Sequence, residues 1–256
     1  MIENTPTIYN TPTIYNTGAG GGGGGGGGFF IKDMNGIEYS VKDYIKLTPD
    51  NNNQSPFYCM INPGVSYDDS FIFDLELNQF SGGESYKTLL QRKANVGGYN
   101  RNFADGIGVT LNFSPYGYFR IVGLNAGNAA IADIYQRNCK NSEIVDGTIY
   151  RIIIKNGSIS IDPNLSSAGS NYQPNFKNVN LSSLRLLGNN ETLSGSGCFA
   201  YKFYSFIVLD NANKTKFNYR PAKRINDEKI GFIDLVNLVF YPGTYSDGNI
   251  DKIELG

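Results

Sequence analysis

The chain has 256 residues, with 22 Lys and Arg against 23 Asp and Glu and no long basic run, so it lacks the positive surface typical of nucleic-acid binding. It has no histidine, which excludes Ser-His-Asp and Cys-His catalysis and imidazole metal sites. Neither a secretion leader nor a run of about 18 apolar residues is visible, and we therefore expect no membrane partner.

The chain starts with a repeated hexad. Asn-Thr-Pro-Thr-Ile-Tyr occupies residues 4–9 (the first hexad) and residues 10–15 (the second hexad). Each proline removes a backbone donor and fixes φ, so we expect an extended peptide. Six residues are a multiple of two and of three, so Ile and Tyr recur on one side in a strand or a polyproline II helix. The pattern predicts that residues 1–17 anchor the chain to a larger particle; a disordered low-complexity leader is the alternative. The predicted anchoring residues are Pro6, Ile8, Tyr9, Pro12, Ile14 and Tyr15.

A glycine hinge is predicted at residues 18–28, where Gly20 to Gly28 form an unbroken run that includes Gly24. Such a run uncouples the anchor from the rest of the chain and lets backbones pack closely if several copies meet. No strand precedes the run, and Phe29-Phe30 stand where a phosphate-binding loop needs Lys and Ser or Thr. We therefore reject nucleotide binding.

The remaining sequence predicts an all-β fold. Short runs of β-branched and aromatic residues alternate with Gly, Asn, Asp and Pro, as in Phe71–Leu77, where Asp74 and Glu76 face away from the apolar side. Lys155-Asn156-Gly157-Ser158 predicts a two-residue hairpin turn. The predicted strands are 70–79, 106–113, 117–123, 147–155, 157–162, 183–187, 197–210, 216–223, 229–235 and 238–241.

We expect one antiparallel β-sandwich or jelly roll at residues 57–256, preceded by a connector or initial strand at residues 29–56. Two weak helix candidates are Val41–Ile45 and Ala129–Gln136.

The candidate sites are sparse. Asp74 and Glu76 could serve as a glycosidase pair, but a third acid is missing at Gln79, and outward acids are ordinary on a half-exposed strand. We therefore predict no catalytic residue, no cofactor and no enzymatic activity. Tyr99, Tyr116 and Tyr118 lie among Gly and Asn and are predicted as a sugar-stacking site; closing the sandwich ends or lining an oligomer interface is the alternative.

Other polar groups are expected to be structural. Four acidic clusters could offer calcium ligands, but none has the spacing of a recognised calcium loop: Asp68-Asp69, Asn102 with Asp105, Asp210-Asn211-Asn213, and Asp247-Asn249-Asp251. We predict a turn at residues 210–213 and a salt-bridged hairpin around Arg220, Lys223 and Arg224. The cysteines Cys59, Cys139 and Cys198 are predicted as core residues or free thiols.

Several motifs resemble concanavalin A-like, laminin G-like modules. Asp146–Ser158 resembles their paired central strands, and Phe199–Asp210 resembles a late strand. The pattern Pro221-Ala222-Lys223-Arg224, Asp227, Ile230–Asn237 and Phe240-Tyr241 resembles the closing motif of such domains in phage and prophage fibre proteins. The chain departs from that motif at Phe232-Ile233, where Leu-Tyr is usual, and at Leu238-Val239, where a Gly or Asn turn is common.

The resemblance covers residues 57–245 and implies a homo-oligomeric virion fibre that docks through an N-terminal peptide. It favours a head fibre and a trimer, with residues 1–17 bound to a capsid or other virion protein at the particle surface and possible contact with host glycans. A tail-associated lectin is the alternative function, followed by a glycan hydrolase.

Overall fold

The computed structural model describes the greater part of the chain. The described residues are 14–15, 29–33, 35–49, 55–62, 64–65, 69–78, 86–92, 108–113, 118–124, 134–155, 158–167, 184–187, 196–197, 201–245 and 247–256. Within them the strands are β1 Ile14–Tyr15, β2 Phe29–Lys32, β3 Glu38–Val41, β4 Ile45–Leu47, β5 Tyr58–Ile61, β6 Ser70–Glu76, β7 Tyr86–Arg92, β8 Gly108–Phe113, β9 Tyr118–Leu124, β10 Ile134–Lys140, β11 Ile149–Lys155, β12 Ser158–Asp162, β13 Leu184–Leu186, β14 Ser196–Gly197, β15 Phe203–Leu209, β16 Thr215–Arg224, β17 Ile230–Asp234, β18 Val239–Thr244 and β19 Ile253–Leu255.

The strands form two sheets of a sandwich, which confirms the predicted all-β class. The first sheet has the order β12–β11–β6–β15–β16–β17–β18, with β3 also paired to β16 and β4 to β15. The second has the order β5–β13–β7–β8–β9–β10. Pairing among the described strands is antiparallel except between β7 and β14.

The two sheets are joined at both margins. Strand β18 pairs with β17 as far as Pro242, and then Gly243 and Thr244 pair with β5 of the second sheet. At the other margin Cys139 of β10 forms a bridge with Ser167, in the segment that follows β12. Among the described residues the two sheets are therefore connected through β18 on one side and through the bridge of Cys139 with Ser167 on the other.

The main core lies between the sheets. Phe71, Phe73, Leu75 and Leu77 are all buried, as the alternation in β6 predicts. The rings of Phe73 and Phe206 stack with centroids 4.7 Å apart. Burial of such aromatic and aliphatic side chains is the main source of stability in a fold built from long-range strand pairs.

A second core lies beside the hairpin of β2 and β3. Its buried members are Ile31, Tyr39, Val41, Ala222 and Ile233. These residues come from β2, β3, β16 and β17, because β3 pairs with β2 on one side and with β16 on the other. Strand β4 pairs with β15, so β2, β3 and β4 of the segment 29–56 all belong to the first sheet.

Both helix candidates are wrong where they can be checked. Val41 ends β3 and Ile45 begins β4, while Ile134–Gln136 belongs to β10; residues 129–133 lie outside the described residues. Long-range pairing overrides weak local helix preference at both places. The predicted strand 197–210 is also divided, because β14 ends at Gly197 and β15 begins at Phe203.

Helical structure in the described residues is limited to two 3-10 segments, Asn141–Glu143 and Asp247–Lys252. No helix among them is long and apolar enough to cross a membrane.

Candidate functional site

The last two residues of the second hexad, Ile14 and Tyr15, lie on a sheet edge. Strand β1 runs antiparallel to β2, with Ile14 opposite Ile31 and Tyr15 opposite Phe30. The other side of β2 pairs with β3. We call the side of β2 that faces β1, over residues 29–32, the attachment edge. Ile14 and Tyr15 therefore supply the strand outside β2 in the first sheet.

The attachment edge is apolar at its centre. Ile31 is buried in the second core and Phe29 packs against that core. Lys32 closes the end of the strand, where its Nζ lies 3.1 Å from Glu38 Oε1. Aromatic and β-branched residues favour extended backbone, and Ile14 stands opposite Ile31 in the strand register.

Most predicted site residues lie outside the described residues. These are Pro6, Ile8, Tyr9, Pro12, Gly20, Gly24, Gly28, Tyr99 and Tyr116. Tyr118 begins β9, opposite Lys140 of β10. The anchoring, hinge and sugar-stacking assignments stay predictions.

Asp74 and Glu76 point to the outer face of the first sheet, as alternation predicts. Both Asp74 carboxylate oxygens accept hydrogen bonds from Arg151, at 2.7 and 2.9 Å, and Oδ2 also accepts one from Ser205 Oγ at 2.7 Å. Glu76 Oε2 lies 3.2 Å from Lys202 Nζ. Each acid is thus held by a cation from a neighbouring strand or strand end.

Beside this pair lies a group of side chains that sequence reasoning missed. We call it the outer-face cluster, and its members are Tyr44, Glu76, Lys202, Tyr204 and Glu254. The Tyr44 hydroxyl donates to Glu254 Oε1 at 2.7 Å, and the Tyr44 ring meets that of Tyr204 nearly edge-on, with centroids 5.9 Å apart. Lys202 Nζ lies 5.0 Å from the centroid of the Tyr44 ring.

Backbone contacts place Tyr44. The Gly256 carbonyl accepts hydrogen bonds from the backbone N–H of Asp43 and of Tyr44, at 2.6 and 3.2 Å. A Cβ at Gly256 would lie 2.2 Å from Tyr44 Cε1, so glycine is needed for this close approach. Alternation in β15 would place Tyr204 on the face of the buried Phe206 and Val208, and the register irregularity between Phe203 and Ser205 is what moves it to the outer face. In addition, nothing local links residue 44 to residue 254.

Hydrogen bonds and burial fix the protonation states of Tyr44, Tyr204 and Lys202 in the cluster. The hydrogen bond to Glu254 raises the pKa of Tyr44, and burial followed by the nearby Glu76 raises the pKa of Tyr204. The hydrogen bond to Glu76 raises the pKa of Lys202. At neutral pH the phenols are therefore protonated and the amine is charged. Amphipathic rings beside carboxylate acceptors and an ammonium donor suit a polyhydroxylated ligand.

The other polar predictions can be checked in part. Asp210 forms a turn, in which its Oδ1 accepts a hydrogen bond from the N–H of Lys214. Asp69 pairs with Lys216 at 2.8 Å. Among the described residues no group of three or more Cys, Asp or Glu could hold a metal ion.

The predicted salt-bridged hairpin is confirmed at Lys223 and Arg224, whereas Arg220 lies 3.9 Å from Asp43. Arg224 binds Asp227 through two hydrogen bonds, and Lys223 pairs with Glu228 at 2.8 Å.

Two of the three cysteines are confirmed as buried and free, Cys59 and Cys139. Cys198 lies outside the described residues.

Comparison with known proteins gives a structural similarity only. No family model matches the chain, and no curated protein sequence matches it. Two solved structures are similar, each with a TM-score of 0.37 and 14% identity over 71% of this chain. One is the enzymatically active domain of tailspike protein 2 of bacteriophage CBA120, and the other is a full-length tailspike protein 2 from an Escherichia coli O157:H7 bacteriophage. The chain spans 25% and 22% of those two chains.

The prediction that this chain is not an enzyme is contradicted by that similarity. One of the two matched structures is an enzymatically active domain. We therefore withdraw the prediction.

Proposed function

We propose that this chain is an attachment component of a bacteriophage particle, a fibre that is docked by its hexads and projects its β-sandwich outward. The observation that carries the proposal is the position of Ile14 and Tyr15, which add as a strand to a sheet edge. The first hexad has the same six residues and so the same capacity for strand addition. The glycine run then separates the docking peptide from the β-sandwich along the chain.

The finer assignments belong to the same proposal. We assign the particle surface as the location, a capsid or other virion protein as the partner of residues 1–17, the head as the favoured site, and a trimer as the favoured oligomer. They rest on the resemblance of the closing motif to phage fibre proteins.

Deletion and labelling test the proposal. Phage carrying the chain without residues 1–17 should contain no copy of it, although the truncated protein still folds. Replacing Ile8, Tyr9, Ile14 and Tyr15 by Ser should reduce occupancy as well, whereas replacing Asn4 and Asn10 by Ser should not. Normal incorporation of the deleted chain would refute the anchor.

Immunogold labelling with antibody against residues 29–256 should mark the capsid; label on the tail would refute the head assignment.

A second function, recognition of a host glycan, is supported by the outer-face cluster. Tyr44 and Tyr204 present two partly exposed rings beside Glu76 and Glu254. Stacking of a ring on a sugar typically requires this combination of apolar face and polar rim.

Binding of the purified chain to host cells tests the second function. Tyr204→Ala should weaken glycan-dependent binding, and Tyr58→Ala is the matched control, since Tyr58 also lies under a cation, with Arg185 4.3 Å from its ring centroid. Equal binding by both variants would refute the site, and would leave Tyr99, Tyr116 and Tyr118 as the predicted sugar-stacking residues.

A further inference from the structure

The attachment edge has room for one hexad, whereas the chain carries two. Strand β2 comprises four residues, and its pairing with β1 uses Phe30 and Ile31. The two hexads are identical, and they are offset by six residues, an even number that preserves which side chains share a face of the strand. In any assembly of identical copies, half of the hexads therefore suffice to fill every attachment edge.

The segment that joins β1 to β2 is long for a hairpin. Antiparallel neighbours in one chain are ordinarily joined by two to five residues. Here residues 16–28 lie between the paired strands, and Gly20 to Gly28 are all glycine. Glycine has the largest backbone freedom, so closing this segment within one chain costs more entropy than a short turn would. Extended, the thirteen residues reach about 43 Å, which is enough to cross to a neighbouring subunit.

We propose that copies of this chain exchange their second hexads: residues 10–15 of one copy form the strand on the attachment edge of a second copy. The contacts are those seen for β1 and β2, with Ile14 opposite Ile31 and Tyr15 opposite Phe30. Exchange of an identical element is a low-cost route to a symmetric oligomer. The first hexad, residues 4–9, then remains available, and its use for docking to the particle is the only step that rests on the proposed function.

A closed ring makes the exchange effective. One short strand pairing is weak, but in a ring each copy gives one hexad and receives one, and the pairing that closes the ring is intramolecular. The attachment edge is apolar except at Lys32, the last residue of β2. A charged residue at that position disfavours pairing with further strands beyond the end of β2.

Cysteine cross-linking of the full chain tests the exchange. Tyr15→Cys and Phe30→Cys are made as separate variants, one with a size tag, then mixed and mildly oxidised. A disulfide between the two variants is expected, because residues directly opposite in an antiparallel pair have Cβ atoms about 5 Å apart. Ile14→Cys with Ile31→Cys is the second pair, because neighbouring pairs alternate between wide and narrow spacing. The unmodified chain controls for Cys59, Cys139 and Cys198.

The double variant Tyr15→Cys/Phe30→Cys separates the outcomes. Covalent oligomers support the exchange. A monomer in which both new thiols have been oxidised shows that the strands pair within one chain, and overturns the exchange. Two thiols that remain reduced overturn it as well. Tyr9→Cys with Phe30→Cys is the matched control, and equal cross-linking there would overturn the assignment to the second hexad.

Shortening the glycine run gives an independent test. Deletion of residues 20–27 leaves five residues between the strands, a length that permits a hairpin. We expect light scattering to show a shift from oligomer to monomer. An unchanged oligomer would overturn the exchange, and because the assay uses purified protein, its result is independent of incorporation into phage.

Discussion

Replacement of Asp74 by Ala should destabilise the fold by about 2 kcal/mol, and the geometry of its partners sets that figure. The Arg151 side chain is 51% exposed, so its ion pair with Asp74 is screened and contributes at most about 1 kcal/mol. Ser205 is only 3% exposed, so loss of its acceptor leaves a buried hydroxyl without that partner, at a cost of about 1–3 kcal/mol. Together the two losses amount to about 1–4 kcal/mol, and the middle of that range lies below the roughly 3–5 kcal/mol typical of breaking a fully buried ion pair.

Urea unfolding of a double-mutant cycle checks this reasoning. Asp74→Asn should cost about 1 kcal/mol or less, because the amide still offers Ser205 a hydrogen-bonding partner. Ser205→Ala should cost about 1 kcal/mol alone and almost nothing in the Asp74→Ala background. Strictly additive effects would refute the coupling. A folded Asp74→Asn variant that abolished hydrolysis of a surface polysaccharide would instead give Asp74 a catalytic role.

Three further outcomes follow from other parts of the body. Gly243→Ala should lower stability by about 1–3 kcal/mol in thermal unfolding, because its Cβ would lie 2.0 Å from Cε2 of buried Phe57; an unchanged melting temperature would contradict the close packing at the sheet crossing. The Arg224 guanidinium lowers the pKa of Asp227 from 3.8 to about 2, so the stability that this ion pair adds to the fold is fully present above pH 3.8 and is lost as the pH falls through about 2. NMR titration should show that Arg224→Gln returns the pKa of Asp227 towards 3.8. Burial raises the pKa of the Cys59 thiol to about 12, so mass spectrometry should find it unalkylated at pH 8 in the native protein and alkylated in urea.

The parts of the fold that sequence predicts are those with local causes. The alternation in Phe71–Leu77 identified the buried side of β6, because successive side chains of a strand point to opposite faces of the sheet. The Asn-Gly signal identified the hairpin in which Lys155 lies opposite Ser158. The ion pair of Arg224 with Asp227 could also be predicted from the sequence, since the two residues are three positions apart.

The parts that sequence misses depend on distant partners. Val41 is extended because it pairs with Ala222, and Ile134 because it pairs with Leu124, although both lie in stretches with weak helical character. The outer-face cluster has the same cause, since Tyr44 and Glu254 meet only after β4 and β19 have paired. Such contacts leave no mark in a short window of sequence.

A truncation at residue 57 therefore differs from one at residue 29. Removal of residues 29–56 would take away β2, β3 and β4, leaving the Ala222 end of β16 without its partner Val41 and Phe203 of β15 without Ile45. Both Ala222 and Phe203 are fully buried in the complete fold, so their exposure would create an apolar, unpaired edge. We expect the fragment 29–256 to give a sharp unfolding transition and a single species in light scattering, and the fragment 57–256 to aggregate. A monomeric, cooperatively folding 57–256 fragment would show that the second core is an addition to the sandwich and not a condition for it.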